Sequence, residues 1–292
     1  MIDMARELLS PLRYPGGKGK MAGVFKHIIE TNDLLDGTYV EPFVGGGSVA
    51  LSLLLNDYVS RIVINDKDRS IFAFWHTVLN DAEWLCREVS DTPVDMDVWR
   101  RQKAVQANKE DADLRELGFS TFFLNRTNRS GIIKGGVIGG NDQTGNYLID
   151  ARFNKTDLVA RIERIAEYAD RIELHNEDAV ALLESTKDTM PPRTLYYLDP
   201  PYYEKGPGLY MNYFTEEDHR KIAETIAGID RCKWVITYDN QEFIKSLYHQ
   251  YRQIEFTLNY SAKNATHGVE LMILSNGLLF EGKDILLSDN KI

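Results

Sequence analysis

A chain of 292 residues, 43% hydrophobic and 27% charged, has the make-up of a folded water-soluble protein with room for one large α/β domain or a core carrying an inserted lobe. Those proportions exclude disordered, collagen-like and disulfide-scaffold classes. The 44 acidic against 34 basic side chains give a formal charge of −10, which taken alone argues against a polyanionic partner. Cys86 and Cys232 stand far apart in no metal-ligating or disulfide-framework spacing, so a reducing cytoplasm and no cysteine metal site are expected. Neither the first twenty residues nor any later stretch is apolar for about 18 positions, so no signal peptide or membrane segment is expected.

Apolar runs of strand length alternate with helical periodicity, the pattern of a mostly parallel sheet wrapped by helices. In chain order, strands are predicted at 39–43, 61–64, 171–175, 195–198 and 233–237, and helices at 49–55, 69–79, 179–183 and 216–226. Two β-rich runs, 253–260 and 269–275, joined by a polar loop, predict an antiparallel hairpin at the sheet edge. Between about Asp81 and Phe153 the alternation stops. Charged helical sequence over 98–117 is followed by the glycine-rich stretch 131–140. This predicts an inserted, mainly helical lobe over 81–154, with the core assembled from 1–80 and 155–292.

The first predicted strand runs into Glu41-Pro42-Phe43-Val44-Gly45-Gly46-Gly47-Ser48, and an apolar helix follows. Glycines between a parallel strand and a helix let the chain turn sharply and let a ligand lie on bare main chain at the helix N-terminus. About twenty residues later Asp66 ends the second strand, where a carboxylate can accept hydrogen bonds from ribose hydroxyls. The pair suits any adenosine-type cofactor. Gly45, Gly47 and Ala50 also satisfy the G-x-G-x-x-A spacing of dinucleotide folds, so an NAD-type oxidoreductase stays open here. A tight turn without a ligand, and an Asp66 that only caps a helix, stay open too.

The fourth strand ends in Asp199-Pro200-Pro201-Tyr202. An aspartate at the C-terminal end of a parallel strand sits where open α/β sheets bind ligands, and two prolines fix the chain while removing two amide donors. Rigid acceptors followed by an aromatic face suit methyl transfer to a planar exocyclic amine. The amine lone pair is delocalised into its ring until acceptors hold the two N–H groups; the Asp199 carboxylate and the Pro200 carbonyl can do so. Tyr202 can stack on the base and fix its plane for an aligned displacement.

With Arg13-Tyr14-Pro15-Gly16-Gly17-Lys18, the glycine turn and the tetrapeptide in this order, the chain resembles the Dam-type (D12 class) adenine-N6 DNA methyltransferases over about 10–280. The resemblance implies a Rossmann-like core with a seven-stranded, mostly parallel sheet and an inserted DNA-recognition lobe. It implies S-adenosylmethionine as cofactor, no metal, and double-stranded DNA as partner. By the same resemblance the cofactor-binding positions are Tyr14, Lys18, Phe43, Gly45, Gly47, Asp66, Asp178 and Asp199, and the catalytic ones Asp199, Pro200, Pro201 and Tyr202. Tyr14 stands where many relatives carry tryptophan. In the insert, Phe122 to Gly131 resembles the family's Asn-Arg-Thr stretch, and 117–141 contains no acid, so Arg126, Asn128, Arg129 and Lys134 are the expected DNA contacts. The sequence beyond Gly131 departs from the aromatic-basic run of many relatives, which leaves the recognition site open. Residues 203–214 are expected to form a flap over an extruded adenine, and the loop 261–268, with Lys263, Asn264 and His267, is a second candidate contact. Asp199 favours DNA adenine over cytosine-N4 or rRNA acceptors, whose enzymes usually begin the tetrapeptide with serine or asparagine. An oxidoreductase would leave the tetrapeptide without a task, and an idle DNA-binding module would not need it. A monomer is expected, with pairing to a restriction nuclease left open.

Overall fold

The computed structural model describes residues 9–13, 18–203, 214–258 and 268–281. Seven strands form one sheet in the order β3-β2-β1-β4-β5-β7-β6. β1 (Gly37–Glu41), β2 (Val59–Asn65), β3 (Ile172–His175), β4 (Thr194–Leu198) and β5 (Lys233–Asp239) are parallel; β7 (Gly268–Leu274) runs antiparallel to β5 and to β6 (Arg252–Leu258). The predicted hairpin is present, with its second strand on the inside and β6 at the edge. Its connecting loop, 259–267, lies outside the described residues.

The central strands are buried on both faces, which is why they read as unbroken apolar runs. Alternate residues serve opposite cores: Tyr39, Ile62, Leu195 and Tyr197 face one, and Val40, Val63, Tyr196 and Leu198 the other. The first core is covered by α1 (Ala22–Thr31), α2 (Ser48–Leu54), α3 (Arg69–Asn80) and α7 (Lys155–Ala166). The second is covered by α8 (Ala179–Thr186), α9 (Glu216–Ala227) and α10 (Glu242–Leu247). Acids start many of these helices. Asp68 caps α3, Asp178 caps α8, and Thr215 with Asp218 forms a capping box on α9.

Residues 81–154 carry α4 (Ala82–Asp91), α5 (Met96–Ala107) and α6 (Leu114–Thr127). The helical stretch expected over 98–117 is thus two helices. Asn108 ends α5, and Asp113 starts α6 by accepting the Arg115 and Glu116 amides. α6 is apolar around most of its circumference because it is sandwiched: Phe122 stacks on Phe74 of α3 at 6.1 Å and meets Phe153 edge-on at 5.5 Å. α6 packs on α3 through Gly118, where an added Cβ would stand 2.6 Å from the Ala73 carbonyl oxygen and against the Thr77 hydroxyl. A helix carbonyl cannot retreat cheaply. Gly118→Ala is therefore expected to destabilise the chain by about 1–3 kcal/mol, read as a melting temperature several degrees lower in calorimetry, despite the better helix propensity of alanine.

Candidate active site

Strand order reverses between β1 and β4, so the C-terminal ends of these neighbours open on one crevice, the position at which open α/β sheets take ligands. The glycine turn leaves β1. Gly47 adopts a left-handed conformation, φ 61°, as the N-cap of α2, and it supplies no side chain to that cap. The Gly45 amide donates to Asp66 Oδ2 at 3.1 Å, and the Trp75 indole donates to the Gly45 carbonyl at 3.0 Å, clamping the turn from both sides. Asp66 Oδ1 also accepts the Asp68 amide at 2.9 Å. Burial nevertheless pushes the Asp66 carboxyl up to about 7, outweighing the two amides and Lys109.

Asn65, wholly buried, ties three strand ends together: it donates to the Pro42 and Glu177 carbonyls and accepts the Glu177 amide. Asp178 caps α8 through the Val180 amide and pairs with Lys67 at 2.9 Å. Burial raises its carboxyl, but Lys67 and the amides outweigh that and hold it below the usual range. Glu41, the last residue of β1, is buried, and its Oε2 has no hydrogen-bond partner. Burial first, and the nearby Asp199 second, push it well above the ordinary carboxylate range, against the pull of the Ala50 amide and the Tyr39 hydroxyl.

At the end of β4, Asp199 Oδ1 accepts the Thr237 hydroxyl at 2.8 Å, and Tyr197 meets the same hydroxyl at 3.0 Å. Lys18, in a 3-10 turn before α1, reaches across the crevice. Its Nζ stands 3.7 Å from Asp199 Oδ1, donates to Glu270 Oε2 of β7 at 2.6 Å, donates to the Tyr202 hydroxyl, and lies 4.9 Å from that ring's centroid. Burial lifts Asp199 to about 6; Lys18 and Thr237 pull it down, and Glu270 pushes it up. Pro200 and Tyr202 are buried beside it, and Pro201 is half-buried. The Tyr203 amide donates to Asp239 Oδ1 of β5 at 2.9 Å, while the Tyr203 ring stacks on Phe243 at 4.9 Å. Phe43 meets Phe214 edge-on at 6.0 Å. Tyr14 and the flap residues 204–213 lie outside the described residues, as do Lys263, Asn264 and His267.

The expected insert contacts separate. Asn128 is fully buried and its amide is spent: it accepts the Trp99 indole at 2.7 Å and donates to the Ile132 and Ile133 carbonyls. That geometry makes it a loop support. Arg126 is partly buried, donating to the Arg152 and Pro11 carbonyls, and burial together with Arg13, Arg161 and Arg152 lowers it to about 10. Arg129 and Lys134 are exposed, the former donating to the Val137 carbonyl. Lys103 of α5 lies close enough that burial and Lys134 lower its ammonium.

The residues that sequence reasoning passed over are Glu41, Asn65, Thr237, Asp239 and Glu270. The readable signal was a polar group inside or ending an apolar strand, as in Val269-Glu270-Leu271-Met272. Among the described residues no group of three or more His, Cys, Asp or Glu side chains could hold a metal ion, and no helix is long and apolar enough to cross a membrane.

The buried Glu41 oxygen that lacks a partner, at the end of β1 next to the glycine turn, fits a ligand that brings a hydrogen-bond donor such as the ammonium of an amino-acid tail, whereas the Gly45 amide and both Asp66 oxygens are already paired within the chain. The type II methyltransferase M.MjaIII of Methanocaldococcus jannaschii is 24% identical over 259 residues, covering 81% of this chain and 86% of that one. Two solved structures resemble it more loosely. PH1948 of Pyrococcus horikoshii has a TM-score of 0.41 at 8% identity, covering 90% of this chain and 85% of its own. The rRNA methyltransferase AviRa of Streptomyces viridochromogenes has 0.37 at 10%, covering 86% and 84%. The D12 class N6 adenine-specific DNA methyltransferase profile matches residues 14–262. A match of that extent, running from the first motif past the tetrapeptide, makes the chain a member of the D12 class N6 adenine-specific DNA methyltransferase family, whose methyl donor is S-adenosylmethionine.

Proposed function

We propose that the protein methylates N6 of an adenine swung out of duplex DNA, at a site chosen by the lobe 81–154. The observation that carries this reading is the placement of Asp199, still ionisable near neutrality, beside the buried Tyr202 at the crevice that also holds the glycine turn. When bound, S-adenosylmethionine supplies a methyl group activated by a sulfonium. The main chain of Gly45 and Gly47, the Asp66 carboxylate and Asp178 would hold its nucleoside, and Phe43 would pack near the methionine portion. Lys18 belongs as much to the acceptor side, through Tyr202 and Asp199, as to the cofactor positions that the family resemblance gave it.

The work left to the chain is to make a poor nucleophile reactive. Asp199 and the Pro200 carbonyl accept the two N–H bonds of the amine, favouring a more tetrahedral nitrogen, while the Tyr202 ring fixes the base plane. The proton leaves once the nitrogen has become cationic, so no strong base is required. An adenine inside a duplex cannot reach the end of β4, and extrusion follows from that geometry. Arg129 and Lys134, with Arg126 behind them, supply positive potential toward phosphates in a stretch without acids; Asn128, its amide already spent, is left out of the contact set.

Incubation with methyl-labelled cofactor and adenine-containing duplex is expected to label adenine N6; label on cytosine, on RNA alone, or on nothing would overturn the reading. In the same assay Asp199→Ala is expected to lose more than about a hundredfold in rate while melting as a folded protein, and a rate near wild type would remove Asp199 from the chemistry. The acceptor form of Asp199 is the carboxylate, and its folded value is raised to about 6. The chemical rate is therefore expected to be level above pH 7 and to fall as pH drops through 6, read from single turnovers at saturating cofactor. Arg129→Ala is expected to weaken DNA binding and reduce the salt slope by about one; an unchanged slope in fluorescence titrations would take it off the contact surface.

A further inference from the structure

β7 carries one acid in an otherwise apolar run, and that acid, Glu270, is 1% exposed. A buried carboxylate is unfavourable unless it is paired. Its partner is Lys18, itself buried, and the pairing is lopsided: Lys18 Nζ stands 2.6 Å from Glu270 but 3.7 Å from Asp199. The same ammonium donates to the Tyr202 hydroxyl. An ammonium has three donors and swings on a flexible stem. Without a counter-charge at Glu270, the nearest buried carboxylate for Lys18 is Asp199, and a direct pair there would occupy the oxygen that the substrate amine must reach.

We propose that Glu270 is a positioning residue for methyl transfer: by holding Lys18 it sets the Tyr202 ring and keeps Asp199 available as an acceptor. The inference rests on the adenine-transfer reading, in which Asp199 meets the amine. With Glu270 ionised, Lys18 is neutralised and the trio carries one net negative charge, the sign that favours a nitrogen becoming positive in the transition state. Asp199 is shifted by Lys18 from the 3-10 turn, Thr237 from β5 and Glu270 from β7, and it in turn raises Tyr39 and Glu41 of β1, Tyr197 of β4 and Tyr238 of β5, with Asp239 opposite Glu270 in the β5–β7 register.

The test compares single-turnover rate against pH for wild type, Glu270→Gln, Glu270→Asp and the double variant Lys18→Met/Glu270→Gln, with cofactor affinity measured by calorimetry. Glu270→Gln is expected to lose about tenfold in rate with cofactor affinity within about twofold of wild type. Its acid limb should move down by roughly half to one pH unit, because a like charge no longer favours the Asp199 proton. Glu270→Asp should recover part of the rate. The double variant should move the limb upward, since the cation that lowers Asp199 is gone; it also carries the test should Glu270→Gln alone fail to fold around an unpaired Lys18. An equal loss at every pH with an unmoved limb, or a rate within twofold of wild type, would overturn the proposal. Titration of the Asp199 carboxyl by 13C NMR, assigned with Asp199→Asn, reads the same limb without any acceptor. A wild type that labels another base, or none, therefore sinks the adenine reading while the NMR shift still decides the role of Glu270.

Discussion

The parallel pairing of β1 with β4 places Tyr39 beside Leu195 and Val40 beside Tyr196, so the two strands end side by side and both chains leave the sheet on the same edge. One exit must turn into a helix without covering the crevice, which the left-handed Gly47 allows. The other leaves the strand through two prolines, which fix the chain and offer no amide donors. The same pairing sets two carboxyls, Glu41 and Asp199, near each other in a poorly solvated space. Burial first and Asp199 second push Glu41 well above the ordinary carboxylate range, while Asp199 itself is lifted by burial only to about 6.

Net charge reads differently once the acids are located. Asp68, Asp95, Asp113, Asp178 and Asp218 sit at helix N-termini, where they satisfy amides that would otherwise be orphaned. Glu41, Asp66, Asp199, Asp239 and Glu270 are gathered at the C-terminal edge of the sheet. The stretch 117–141 holds none of them. The caps and the crevice thus account for a share of the acids, while within 117–141 the only charged side chains are Arg126, Arg129 and Lys134, so any positive field of the lobe is local to that stretch.

The five parallel strands were legible because burial on both faces leaves an apolar run that needs no partner to be recognised. α1, α4, α7 and α10 were not read as separate helices. The α5–α6 break is marked mainly by the cap residue Asp113 in polar sequence, whereas α7 does carry a readable stripe, Leu158, Ile162 and Ile165, behind its cap Asn154. In the site, Asp66 and Asp199 were legible because strand ends advertise themselves locally. Lys18 was legible only as a motif position; its partner Glu270 lies 252 residues away, a distance across which no spacing carries information. Asn128 shows the opposite failure: an amide suited to reading a base is consumed by the turn that presents its neighbours.

The ion cluster at Lys18 is costly in folding terms, since apolar side chains of the same volume would often be as stable or more so. What apolar replacements could not do is coordinate three elements at once. Lys18 belongs to the chain's first motif, Tyr202 to its tetrapeptide and Glu270 to its last described strand. A single ammonium with directed donors fixes their relative positions more narrowly than packing alone, because each bond has a length and an angle to satisfy. The arrangement ties acceptor geometry to the closing of the sheet by β7. Through Glu270 the terminal hairpin is joined to Lys18 and so to Asp199, although its polar loop had suggested only a contact with DNA.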